Sequence, residues 1–183
     1  PFLPLPGGHE KMNGAERPDP VALRTFVQDR REDKLELLAR LTRAESPSDV
    51  PESQAEVRSI IATELEQRGF AVRRVPGRSS GGMLHARPAA AGRPAQLILG
   101  HYDTVWPVGT LEERPFEVDG NVIRGPGVFD MKGGLVQIVL ALKAAQQLGL
   151  ELPLLPVIFV NSDEEIGSRS STRFIRLLAQ HAA

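Results

Sequence analysis

Three stretches decide the fold: Leu97-Ile98-Leu99, the segment from Gly134 to Leu148, and Leu154-Leu155-Pro156-Val157-Ile158-Phe159-Val160. The first and third are short apolar runs of the kind that form strands buried on both faces, the third despite Pro156. Between them Leu135, Ile138, Val139 and Leu142 fall on one helical face, and Gly149 stands where the helix should close. Strand, helix, strand in that order is a crossover unit of an α/β sheet. In such sheets ligands gather beyond the carboxyl ends of the strands. Both apolar runs lead into charge there: His101 and Asp103 follow the first, and Asp163, Glu164 and Glu165 follow the second.

Upstream, Asp19-Pro20 offers a helix start, with a capping carboxylate before a proline at the first helical position. Leu35, Leu38 and Leu41 continue its apolar stripe to a break at Ser46-Pro47. Val57, Ile60, Ile61 and Leu65 predict a second amphipathic helix ending at Gly69, with a strand through Phe70, Val72 and Val75 after it. Met83-Leu84 reads as a strand between turn-rich segments, and Phe116 to Arg124 as a hairpin turning at Asp119-Gly120-Asn121. Residues 1–18, rich in Pro, Gly and polar side chains, read as a disordered leader, with Met12 the expected start.

Composition narrows the chemistry. The 183 residues are 41% hydrophobic and 25% charged, as in an ordinary globular domain. A net charge of -1 removes the bulk-charge case for a nucleic-acid or anionic-membrane partner. No apolar run approaches the roughly 20 residues that span a bilayer, and Pro1 to Pro6 is unlike a signal segment, so a cytoplasmic location is the default expectation. With no cysteine, any metal must be held by histidine and carboxylates.

Three clusters offer such groups: Gly100-His101-Tyr102-Asp103-Thr104-Val105, then Gly125 to Gly134 around Asp130, then Asn161 to Gly167 around Glu164 and Glu165. Each has an ordinary structural reading. An isolated histidine at a strand end is usually just hydrogen-bonded, an aspartate beside Met131-Lys132 usually caps a turn, and an acidic run is usually solvated. Asp103, two residues past His101, changes the first reading, because a carboxylate there can fix the tautomer and orientation of a ligating imidazole. The coincidence of all three clusters at the ends of the right elements favours a metallohydrolase site, with one carboxylate spare to move protons. Asp163 reads as a supporting group.

The segment from Gly100 to Gly167 resembles the co-catalytic zinc aminoacylase and carboxypeptidase family, which includes glutamate carboxypeptidase, acetylornithine deacetylase and succinyl-diaminopimelate desuccinylase. The resemblance rests on His-x-Asp after an apolar strand, Gly-x-Gly-x-x-Asp-x-Lys-Gly-Gly from Gly125 to Gly134, and Glu-Glu before Gly167. It is strongest to the glutamate carboxypeptidase branch and extends more faintly over residues 34–75. It implies a three-layer αβα zinc-exopeptidase-like fold with a mixed central sheet, incomplete at the carboxyl end. It further implies two zinc ions per complete subunit, with cobalt or manganese as substitutes. His101 would bind one zinc, Asp130 would bridge both, Glu165 would bind the second, Glu164 would be the general base, and Asp103 would orient His101. Neighbouring side chains on extended backbone point in opposite directions, which would divide Glu164 from Glu165.

The implied reaction is hydrolysis of an amide or peptide bond, removing a terminal amino acid or an N-acyl group. The expected partner is a small peptide or N-acyl amino acid, with the complete protein a homodimer and neither nucleic acid nor membrane involved. The resemblance also implies a further acidic ligand and a distant histidine, and His181 stands too near the preceding helix to serve. Residues 19–183 are therefore expected to be the amino-terminal part of the catalytic domain, without its lid and dimerisation domain and inactive alone. The alternative is a truncated or non-catalytic metal-binding relative.

Overall fold

A computed structural model describes residues 19–89 and 93–182; the expected leader over 1–18 lies outside the described residues. Helix α1 (Pro20–Gln28) starts where expected, with the Asp19 carboxylate accepting from the Val21 amide at 2.9 Å. The stripe does not run on as one helix. The chain breaks at Asp29-Arg30, where the Arg30 guanidinium turns back onto the Phe26 carbonyl (3.1 Å) and stacks on the Phe26 ring, and α2 (Arg31–Arg43) begins anew. A 3-10 turn at Pro51–Gln54 leads into α3 (Ala55–Glu66), whose Val57, Ile61 and Leu65 are buried. Gly69 then takes a left-handed φ of 77°, which reverses the chain into β1 (Phe70–Val75).

There follow β2 (Met83–Pro88), β3 (Ala95–His101), a single turn α4 (Thr110–Glu113), and the hairpin β4 (Glu117–Asp119) with β5 (Val122–Arg124). A kinked turn, Val128–Lys132, closed by the Lys132 amide on the Gly127 carbonyl, precedes α5 (Gly133–Gln147), and β6 (Leu155–Asn161) and α6 (Thr172–Ala179) complete the described elements.

The main sheet has the order β1-β2-β6-β3, with β3 and β6 parallel and the other pairs antiparallel. It is mixed, as expected, and α5 is the crossover between its parallel strands. Ile158 and Val160 of β6 join Leu84, Ala86, Leu41, Val57, Ile61 and Leu135 in one core, so α2, α3 and α5 cover that face. Each such side chain contributes roughly 1.5–3 kcal/mol by leaving water. Phe159 alternates to the opposite face and stacks on Phe174 of α6, 6.4 Å between centroids, which places the third layer.

One expectation for the strands is corrected, and the other holds. Leu97 to Leu99 is not buried on both faces: β3 is an edge strand among the described residues, and Leu99 is 47% exposed. Pro156 is tolerated because β2 pairs with β6 only from Ile158 onward, leaving the proline with a neighbour on one side. No helix among the described residues is long and apolar enough to cross a membrane.

Candidate metal centre

Parallel pairing brings the loops together. His101 is the last residue of β3 and Asn161 the last of β6, and the register sets them side by side. The chains stay in contact one residue further, where the Tyr102 amide donates to the Asn161 carbonyl at 3.0 Å. The loops after β3 and β6 therefore leave the same sheet edge at the same level.

Asp130 reaches that edge from the kinked turn before α5, on extended backbone (φ -119°, ψ 106°) with a cis peptide to Met131. The turn is seated close to β3. A Cβ on Gly100 would lie 3.1 Å from Leu135 Cδ2 and 3.3 Å from Met131 Cε, so glycine allows the approach.

Three predicted ligands meet there: His101, Asp130 and Glu165 each present one ligand atom, all within 4.8 Å of one another. His101 Nε2 lies 3.0 Å from Asp130 Oδ1 and 3.8 Å from Glu164 Oε2. Its Nδ1 faces Asp103, 3.1 Å from the carbonyl and 3.3 Å from Oδ1. With a proton on Nδ1 held by Asp103, the Nε2 lone pair points at the acidic cluster, the arrangement a ligating imidazole needs. One imidazole nitrogen and two carboxylates are donors that suit zinc and related ions. The residues present fit a metal ion.

The electrostatics agree with this geometry. Burial lowers the His101 pKa, but the hydrogen bond and charge of Asp103, with a further bond from Asp130, outweigh it and raise the value to about 9. Burial pushes the Asp103 carboxyl up, yet bonds from His101 and Ser48 and the His101 charge hold it below the ordinary carboxylate range. Burial pushes Glu165 up, and Asp130, Asp103 and Glu164 add repulsion against the pull of His101. A cation among these carboxylates would relieve that repulsion.

The adjacent glutamates are not divided by strand alternation. Residues 164–167 form a turn, closed by Gly167 N donating to Glu164 O at 2.8 Å, and both side chains stay on the same rim. Glu164 is the more exposed. Helix α6 starts only at Thr172, because Asp163 accepts from the Ser170 and Ser171 amides (2.6 and 3.2 Å) and Ser168 adopts φ 53°. Asp163 is buried and also accepts from Asn161 Nδ2 and Ser171 Oγ, so it organises the loop after β6.

Residues given no role in the sequence reading support the candidate centre. Ser46-Pro47-Ser48, legible only as a helix break, runs beside residues 102–104 as a parallel bridge between Pro47 and Thr104. Gln54, fully buried, donates to the Pro47 carbonyl at 2.8 Å and accepts from the Gly81 amide at 2.9 Å. Lys132 is buried too, its Nζ donating to the Ala44 carbonyl at 3.0 Å, and burial lowers its pKa to about 8 against an opposing pull from Glu45.

Residues 97–183 match the model of peptidase family M20/M25/M40. The chain is 32% identical over 145 residues to carboxypeptidase G2 of Pseudomonas sp. (strain RS-16), covering 78% of this chain and 35% of that protein. It is 33% identical over 138 residues to succinyl-diaminopimelate desuccinylase of Rhizorhabdus wittichii, covering 73% of this chain and 35% of that enzyme. The fold is shared with the di-peptidase Dug1p from Saccharomyces cerevisiae, at a TM-score of 0.75 and 19% identity, over 88% of this chain and 39% of that one. The chain thus spans about a third of the length of the curated relatives it matches.

Proposed function

From the premise that residues 97–183 belong to peptidase family M20/M25/M40, we propose that the complete protein is a zinc-dependent hydrolase of amide or peptide bonds. The observation that carries this reading is the meeting of His101, Asp130 and Glu165 ligand atoms within 4.8 Å, with Glu164 beside them. His101, Asp130 and Glu165 would hold the metal. Zinc, when bound, supplies Lewis acidity that acidifies water and offsets the charge developing on the carbonyl oxygen.

The chain's own residues do the rest. Asp103 keeps the His101 proton on Nδ1, so that Nε2 stays available as a donor atom. Glu164, exposed at the rim, takes a proton from the attacking water as the new C–O bond forms, then delivers it to the amine nitrogen as the C–N bond breaks. The substrate is a small peptide or N-acyl amino acid, losing a terminal amino acid in the manner the name carboxypeptidase implies or an acyl group as the name desuccinylase implies. The complete protein works as a homodimer.

One imidazole and two carboxylates among the described residues fall short of two zinc shells. On its own, the 183-residue chain binds metal weakly and turns over no amide. The test uses both glutamates in the complete protein: Glu164→Gln keeps zinc and loses turnover by about 100-fold or more, whereas Glu165→Gln loses zinc as well. Equal zinc loss in the two variants, measured by metal analysis, would end this division of roles.

A further inference from the structure

Asp103 holds more than the histidine. Its carboxylate is fully buried, accepts three hydrogen bonds and has the His101 ring as a fourth contact. Oδ1 takes the Glu164 amide and faces His101 Nδ1, both at 3.3 Å; Oδ2 takes the Glu165 amide at 3.2 Å and the Ser48 hydroxyl at 2.7 Å. One carboxylate thus ties the loop after β3 to the loop that carries both glutamates. The Ser48 bond is the shortest of the four.

Ser48 is itself placed before it touches Asp103. Its amide donates to the Thr104 carbonyl at 3.1 Å, the Thr104 amide donates to Ser46 at 2.9 Å, and Gln54 holds the Pro47 carbonyl between them. Ser46, one step back in the same bridge, donates its hydroxyl to the Tyr102 carbonyl at 2.7 Å and does not reach Asp103. Both bonds to Oδ2 are charge-assisted, and the Ser48 bond at 2.7 Å fixes that oxygen more firmly than the amide contact at 3.2 Å. Without it only three contacts of 3.2–3.3 Å hold the carboxylate, which is then freer to pivot, and the imidazole and both glutamates lose their common reference point.

We propose that Ser48, acting through the Asp103 carboxylate, is the positioning residue that sets His101 and the Glu164–Glu165 turn in register with each other. The inference rests on the metal-hydrolase reading above, but its structural half does not require metal. Partners that hold a ligating histidine are typically worth about 10–100-fold in metal affinity, and Ser48 acts on two ligand-bearing loops at once.

The test compares Ser48→Ala with Ser46→Ala, two buried hydroxyls of one segment that differ in whether they touch Asp103. Zinc affinity is read by calorimetry, and exchange of the Glu164 and Glu165 amides is read by NMR on the zinc-free chain. Ser48→Ala should weaken zinc by about 10–100-fold and speed exchange of those two amides relative to amides in α3. Ser46→Ala and the hydroxyl-retaining Ser48→Thr should hold zinc within about threefold of the parent. Ser48→Cys, isosteric with a weak donor, provides the same comparison should the alanine variant fold poorly, with a smaller loss. Equal effects of the serine-46 and serine-48 changes on both readouts would overturn the proposal, as would no effect of Ser48→Ala. A parent chain that binds no zinc would overturn the metal reading instead, and amide exchange would then decide the role of Ser48 alone.

Discussion

Replacing Gly127 with alanine should damage the metal centre from outside it, by an amount the geometry sets. Gly127 has φ +70°, where a residue with a Cβ is strained by roughly 1–2 kcal/mol. A Cβ there would lie 2.7 Å from Thr104 Cγ2, well inside the usual carbon contact of roughly 3.5–4.0 Å. Thr104 cannot retreat easily, since it is buried and its amide and carbonyl are bonded to Ser46 and Ser48. Overpacking of this kind costs about 1–3 kcal/mol, and the stiffer unfolded chain returns only about 0.4–1 kcal/mol. The net loss should be about 1–4.5 kcal/mol. Gly120→Ala is the matched control: its φ is also positive (59°), but nothing lies within 4 Å of the new Cβ, so it lacks the contact cost and should lose about 0–1.5 kcal/mol. Urea titrations of the two variants, fitted with a common slope, read the difference directly. Because the Lys132 amide is bonded to the Gly127 carbonyl at 2.9 Å, strain at Gly127 passes into the turn that carries Asp130, and zinc affinity should fall with stability. Equal destabilisation by the two alanines would refute the contact argument.

Other consequences can be checked on the same chain. In zinc-free protein His101, raised to about 9, binds more protons folded than unfolded between pH 6.5 and 9, so stability falls across that window; Lys132, lowered to about 8, does the reverse between about 8 and 10.5. The urea midpoint should therefore fall from pH 6.5 to 8, level between 8 and 9, and rise toward 10, and a midpoint that rose from 6.5 to 8 would contradict the His101 environment. With His101 as the proposed ligand, zinc displaces its proton, so affinity should climb about tenfold per pH unit below 9, measured by competition with a chelator of known pH dependence; a flat profile between pH 7 and 8.5 would contradict the raised His101 pKa. The edge strand β3 with exposed Leu99 should make the 183-residue chain associate as concentration rises, and Leu99→Lys should suppress this in sedimentation; unchanged association would place the contact elsewhere.

Periodicity along the chain was sufficient for α3, α5, β1, β6 and the hairpin, because each carries its own local signal: a 3.6-residue stripe in Val57, Ile61 and Leu65, a left-handed glycine at Gly69, a Gly-Asn turn at residues 120 and 121. The candidate site was legible for a related reason. His101, Asp130 and Glu165 are chemically distinctive, and two of the three follow strands that end at one sheet edge. Local pattern could not place β3 at the edge of the sheet, since the exposure of Leu99 depends on which strand lies beside it. Nor could it distinguish one helix from two across Asp29-Arg30, or extended backbone from a turn at Glu164-Glu165. Only the tertiary structure decided which ordinary polar residues matter. Ser48 and Gln54 are common residue types with no spacing rule, and they support the candidate centre because folding buried them against Asp103 and Pro47. A buried polar group must find its partner wherever the chain returns to it, and Ser48 meets Asp103 across 55 residues.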